Sequence, residues 1–461
     1  MLPIAKEKTD SKLFLGLIIT LGASMLMPEY IAPLFVFGLY IHFMKVFKSS
    51  GRNARMGDVC KLFFVYTGYM LLSSIWSDEH LMSALVSLLW MGCMLSMILL
   101  GNIINSEEKL KSAITAVNIS AGIIGLMAIV SVITYNIFMY VYHHYHERIW
   151  LFPNPFYWEL NDFVFDLLPI EVINYKFRSR ASATFDNPLI LATYLVIATP
   201  FCAFGSVSFR RSKNRKISRV CLLLALGGLV CTSSRGACVA IAVAFVIMLF
   251  SNKKVFKKIF PFCMLLAVSV PVVLLLRYRN TKVTDFIESN SQRVGIWKSC
   301  WQMFLDHPII GMGAGTENIH QSLINDYNIP RTHAHNLFLE MIVEGGIIGG
   351  LFVAAIAVLI IINIVRICKA KDGKYRHYGF LYMAGLVGFV VMSTFEFTLQ
   401  SAKELMIFFF LLGFIEATYR IATDKTQVAP DEITIVYEEV PDDEEVKITQ
   451  TEEVKITQTV E

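Results

Sequence analysis

The sequence predicts an all-α polytopic integral membrane protein with about 12 transmembrane helices and two long outer-face loops. Of its 461 residues, 55% are hydrophobic and only 17% are charged, against about 25% charged in soluble domains. About 12 spans of about 20 residues use about 240 positions, close to the apolar total. Lysine and arginine recur in short clusters on alternate connections, as expected of cytoplasmic loops. The formal net charge of +4 is small and spread along the chain, which excludes nucleic acid as a partner.

The apolar run 13–27 follows Lys6, Lys8 and Lys12 and is read as an uncleaved first helix. No small-residue cleavage site follows it, and the charge alternation needs it retained. Runs at 30–44, 58–76, 82–104 and 113–140 complete an N-terminal block of five helices over 1–140, interrupted by the clusters Lys45 to Arg55 and Lys109 with Lys111. Residues 141–186 form the first long outer loop, where Trp150, Phe156, Trp158 and Phe163 suit a segment at headgroup depth. Runs at 187–208, 218–233, 236–251 and 259–276 give a second block over 187–276. Its middle pair is separated only by a turn at Ser234 and Arg235. Residues 277–336 form the second, more polar outer loop, and runs at 337–365, 377–397 and 404–421 close the membrane part at 421. Clusters at Arg210 to Arg219, Lys253 to Lys258 and Arg366 to Arg376 fall on the same side as the earlier ones, which puts both termini in the cytoplasm. The tail, 422–461, is acidic, repeats its 444–451 octet at 452–459, and reads as disordered and non-catalytic. Nine cysteines show no disulfide framework or zinc ribbon.

Long loops in so apolar a chain are where chemistry is expected. Positive residues on the outer side run against the topology rule, so each arginine there raises the question of which anion it meets. Arg235 lies in Thr232-Ser233-Ser234-Arg235-Gly236-Ala237, where small neighbours let an anion approach backbone amides. Arg293 and Trp297, four apart, share a helix face, and a guanidinium can hold a diphosphate as a fork where lysine cannot. His335 stands where a polar loop meets an apolar run, and its imidazole can take a proton from a sugar hydroxyl. Asn336, Glu340 and Glu344 follow it, the two carboxylates one turn apart in an apolar run where they need partners. Gly345, Gly346, Gly349 and Gly350 would let another helix pack closely. His333 with His335, or His143, His144 and His146, have loose spacing and no cysteine or carboxylate to complete a shell, so no metal site is expected.

In this combination the sequence resembles the O-antigen ligase and polysaccharide polymerase superfamily of bacterial membrane glycosyltransferases. Three stretches carry the resemblance: Arg180 to Pro188, Ser234 to Ala237, and Arg293 with Trp297 followed by His335-Asn336 and Gly346. Trp297 stands where the family's ligase signature has leucine, which leans toward polymerisation. The resemblance implies a GT-C-like layout and metal-independent, inverting transfer of a glycan from an undecaprenyl-diphosphate-linked oligosaccharide, without a cofactor. It also implies that Arg235 and Arg293 hold the leaving diphosphate and His335 is the general base. Arg180, Asn336, Glu340, Glu344 and Trp297 are expected around the donor. The acceptor would be a growing glycan or, for a ligase, a lipid core or a protein, within the bilayer of the bacterial cytoplasmic membrane and alongside other polysaccharide-assembly proteins. From a different class, a transporter or flippase would also have about 12 helices, but it would carry charges near the midplane and related halves.

Overall fold

The computed structural model describes residues 3–29, 31–145, 180–210, 212–251 and 283–423. Among these the secondary structure is helical throughout, without strands. The N-terminal block holds α1 (Pro3–Ala23), α2 (Ala32–Ser49), α3 (Asp58–Leu72), α4 (His80–Ile103) and α5 (Glu107–Tyr145). After it come α6 (Pro188–Ser208), α7 (Ser212–Cys231) and α8 (Arg235–Leu249). Then follow α9 (Val283–Asp306), α10 (Thr316–Asn325), α11 (Leu337–Cys368), α12 (Tyr375–Ser393) and α13 (Ala402–Thr423). The expected span 259–276, the aromatic part of the first outer loop and the acidic tail lie outside the described residues.

Six helical segments are long and apolar enough to cross a membrane: Asp58–Ile75, His80–Ile103, Glu107–Thr134, Pro188–Ser208, Leu337–Cys368 and Ala402–Thr423. The expected count of about 12 is therefore not reached among the described residues. Charge and length account for several of the missing ones. The first half of α1 carries Lys6, Glu7, Lys8, Asp10 and Lys12, and α7 opens on Lys213, Arg215, Lys216 and Arg219. Helix α8 has 15 residues, short of the about 20 a bilayer core needs.

Two helices form the centre. The apolar window of α6 is 94% buried and that of α13 83%, whereas that of α11 is only 28% buried. Phe201 of α6 and Phe414 of α13 stack with ring centroids 5.2 Å apart. Polar side chains inside the bundle bond across helices, as they must where water is excluded: the Tyr382 and Thr418 hydroxyls lie 2.6 Å apart, and Asn118 Nδ2 donates to Ser218 Oγ over 3.0 Å. Helices α5 and α7 touch at bare backbone, since a Cβ on Gly228 would lie 2.6 Å from the Gly125 Cα.

The second long loop, read as more polar, is folded over its described residues, 283–336. Helices α9 and α10 and the turn before α11 share a small core of their own, made by Ile296, Cys300, Met303, Ile319, Leu323, Ala334 and Val343. The glycines of α11 serve two approaches: α3 packs at Gly345 and Gly349, where a Cβ would lie 3.8 Å from the Tyr69 ring, as expected of another helix, and a loop packs at Gly346. Gly346 leaves helical geometry at φ 61° and ψ −161°, and the chain from Pro308 to Gly313, not another helix, docks into the break. Met312 N donates to Val343 O (2.9 Å), Gly313 N to Glu344 O (3.0 Å) and Ile347 N to Pro308 O (2.8 Å). The Tyr69 hydroxyl of α3 reaches both sides, 3.0 Å from Ile310 O and 2.9 Å from Gly345 O. Backbone groups freed by the break thus find partners within the protein, the condition for irregular backbone at membrane depth.

Candidate active site

The break fixes the first turns of α11 and, with them, the residues just before. Asn336 caps α11: its Oδ1 accepts from Phe338 N at 3.0 Å and Leu339 N at 3.1 Å. Its Nδ2 donates to Thr394 O over 3.4 Å, tying the cap to the end of α12. Ala334 is held at both backbone groups. Glu340 Oε2 accepts from its N–H at 2.6 Å, and Trp297 Nε1 donates to its carbonyl at 2.9 Å. The turn His333-Ala334-His335 is thereby fixed, with His335 in the left-handed region at φ 52°. That conformation is unusual for a residue other than glycine and persists where surrounding contacts determine it.

Both histidines aim at one carboxylate that sequence reasoning missed. Glu396 lies in the connection between α12 and α13, with its side chain 2% exposed. Its Oε1 is 2.9 Å from His333 Nε2, 2.8 Å from His335 Nδ1 and 3.3 Å from Phe397 N. Burial alone would raise the pKa of Glu396, but the hydrogen bonds from His333 and His335 outweigh it and hold the pKa at about 2. As an ionised carboxylate it is an acceptor only, so each facing imidazole nitrogen donates. Its Oε2 is buried with no hydrogen-bond partner among the described residues.

The two histidines then differ. The second nitrogen of His333, Nδ1, lies 2.8 Å from Thr332 Oγ1. On His335 the proton faces Glu396 from Nδ1, so Nε2 carries the lone pair. The His335 side chain is 22% exposed, which lets a reactant reach it.

The segments that carry the arginines reach the residue before Glu396 directly or through a neighbour. Arg293 Nη1 donates to Phe395 O at 3.0 Å. The Ser234-Arg235-Gly236 turn abuts the same residue: a Cβ on Gly236 would lie 3.1 Å from the Phe395 Cβ. Ser234 caps α8 by accepting from Ala237 N at 3.3 Å. Arg180 Nε donates to Thr232 O at 2.9 Å and Ala181 N to Cys231 O at 3.0 Å, so the 180–188 segment is tied to the residues just before Arg235. Parts distant in sequence, at 180, 235, 293, 333–336 and 396, meet at one end of the bundle.

Not every expected donor residue has a side chain facing this centre. Glu340 is wholly buried and bonds Ala334, Trp297 bonds the same residue, and Asn336 is spent on capping. Glu344 is also buried, and its backbone carbonyl accepts from Gly313 N at 3.0 Å. Glu340, Trp297 and Asn336 hold the site's backbone.

The expectation that no carboxylate completes a ligand shell is also corrected, because the third group comes from another element. Among the described residues His333, His335 and Glu396 present two nitrogens and one oxygen that all lie within 4.8 Å of one another. The side chains of His143, His144 and His146 lie outside the described residues.

A comparison with curated proteins finds no match to the chain. Residues 220–354, which include Arg235, Arg293, Trp297 and the His335-Asn336 pair, match the model of the family described as O-Antigen ligase, and over that segment the resemblance carried by the motifs is borne out.

Proposed function

We propose that this chain is a membrane glycosyltransferase that takes a glycan from an undecaprenyl-diphosphate-linked donor at the outer face of the cytoplasmic membrane. Its product is a surface polysaccharide lengthened by one repeat unit. The observation that carries this reading is the 2.8 Å contact between His335 Nδ1 and Glu396 Oε1, beside arginines and within the segment that matches the O-Antigen ligase family. A carboxylate on Nδ1 fixes the tautomer in which Nε2 is the base and stabilises the imidazolium that forms.

The step balances without a further reagent. His335 Nε2 takes the proton of the acceptor hydroxyl as its oxygen bonds to the anomeric carbon from the face opposite the leaving group. The bond from that carbon to the diphosphate oxygen breaks, its electron pair stays on the diphosphate, and the configuration inverts. Arg235 and Arg293, with Arg180 behind them, stabilise that charge, so no general acid and no metal is required. The acidic tail takes no part. The chain spans the membrane about 12 times with both termini inside, which leaves its basic clusters in the cytoplasm.

A ligase that moves the finished chain to a lipid core or a protein uses the same chemistry and is the alternative. The test deletes the protein in its host and complements with wild type or His335→Ala at matched membrane levels, then sizes surface and lipid-linked glycans. Single repeat units left on the carrier support the polymerase, and long chains left on the carrier support the ligase. Normal glycan from His335→Ala rejects the base assignment.

A further inference from the structure

We propose that His333, His335 and Glu396 form a binding site for a late first-row divalent cation, zinc in particular, and that a cation held there switches transfer off by taking the base out of use. The inference rests on His335 being that base.

The donor set fits such an ion. Two imidazoles and a carboxylate suit zinc, cobalt(II), nickel or copper(II), whereas magnesium and calcium prefer oxygen ligands. The donor atoms are also set in place beforehand. Ala334, between the histidines, is bonded at its N–H by Glu340 and at its carbonyl by Trp297, and α11 begins directly after His335 with Asn336 as its cap. His333 Nε2 and His335 Nδ1 lie 2.9 and 2.8 Å from Glu396 Oε1. Ligands of a tetrahedral zinc, each about 2.0–2.2 Å from the ion, stand about 3.3 Å apart, so each nitrogen needs to draw back from Oε1 by only about half an ångström, and the two nitrogens already lie within 4.8 Å of each other. Glu396 also offers Oε2, which is buried and has no partner among the described residues. Three protein ligands leave a fourth position toward the partly exposed side of His335.

The cost to catalysis follows from the tautomers. In the hydrogen-bonded arrangement His335 donates from Nδ1 and keeps its lone pair on Nε2. A cation on Nδ1 reverses this: the lone pair goes to the metal and the proton sits on Nε2, which then cannot accept one from a hydroxyl. His333 undergoes the same exchange, its proton moving to Nδ1 beside Thr332 Oγ1. No net proton is released from neutral histidines, and nothing is oxidised or reduced.

The experiment titrates cobalt(II), then zinc, into full-length protein in nanodiscs, reading the cobalt absorption and, separately, transfer. One cobalt per chain with the intense visible bands of a four- or five-coordinate ion, displaced by zinc, is the expected result. His333→Gln should weaken binding at least about 100-fold, while His320→Gln, on α10, should leave it unchanged. Zinc should lower transfer at least tenfold, and a chelator should restore it. The proposal is overturned if no cobalt band appears, if His333→Gln in monodisperse protein binds as tightly as wild type, or if bound zinc leaves the rate unchanged. A protein that binds cobalt as described yet shows no transfer under any condition refutes the glycosyltransferase reading instead.

Discussion

Gly311 and Gly346 meet backbone to backbone: a Cβ on Gly311 would lie 2.6 Å from Gly346 N, and one on Gly346 would lie 2.7 Å from Gly311 N. Both have positive φ, 72° and 61°, so alanine at either is strained as well as crowded. The left-handed conformation alone costs an L-residue about 1–2 kcal/mol, and the contact adds to it. Gly311→Ala and Gly346→Ala should each lower the unfolding temperature in detergent and cut transfer severalfold, since the break orients the turn that carries His335. Gly350→Ala, whose Cβ would meet only the Ile342 side chain at 3.6 Å, should behave as wild type. Equal stability of all three would show that the break does not depend on glycine.

Glu396→Gln keeps the shape of the side chain and removes its charge. The amide can still accept from His335 Nδ1, but it no longer stabilises the imidazolium, and it can turn its NH2 toward the ring and select the wrong tautomer. The turnover number should fall by about 10²–10⁴, the usual worth of a positioned base, with KM for the lipid-linked donor changed far less. Glu396→Asp should retain more activity than Glu396→Gln. A variant whose KM rises while turnover holds would move Glu396 from the base to the binding of substrate.

Three charged or titratable residues were legible in the sequence as a set, because interfacial charge in an apolar chain is costly and rarely idle. Arg235, Arg293 and His335 stood out for that reason, and the fold brings the Ser234–Gly236 turn, Arg293 and His335 to the Phe395–Glu396 pair. Glu396 did not stand out: it sits between Phe395 and Phe397 at the end of an apolar run, and its partners are 61 and 63 residues away. Asking which carboxylate would accompany a loop histidine leads to it. Trp297, Asn336 and Glu340 were legible as important but not as supports, since only the fold shows that Ala334 lies between Trp297 and Glu340. Likewise the glycines of α11 announced a close approach, which α3 makes at Gly345 and Gly349, whereas the loop at Gly311 that meets Gly346 is announced by no periodicity.

Arg293→Lys keeps the charge and loses the fork. Arg293 spends Nη1 on Phe395 O, so its remaining donors face whatever anion arrives, whereas one ammonium cannot serve the carbonyl and a diphosphate at once. Transfer should drop about 10- to 100-fold, mainly through kcat/KM for the lipid-linked donor. The loss should be smaller at high concentrations of a short-chain donor analogue. Near-normal activity would remove Arg293 from the donor site and leave it as a tie to the α12–α13 connection.

Glu29, in the connection between α1 and α2, provides a pH dependence separate from the catalytic centre. Burial, reinforced by a hydrogen bond with Asp186 and the charge beside it, raises its pKa from 4.5 to about 7, against the opposing pull of Ser401 and Lys403. A carboxyl group with a raised pKa binds its proton more tightly in the folded state. Between pH 4.5 and about 7 the folded chain therefore holds a proton that the unfolded chain has lost, and stability falls as pH rises through that window. Above about pH 7 both states are ionised and the loss is complete. Glu29→Gln cannot ionise, so its unfolding temperature should fall less than that of wild type across the window, ending about 2–4 °C higher by pH 8. Thermal unfolding at a series of pH values in one detergent reads this directly. Parallel curves for the two proteins would mean that Glu29 is solvated as an ordinary surface carboxylate.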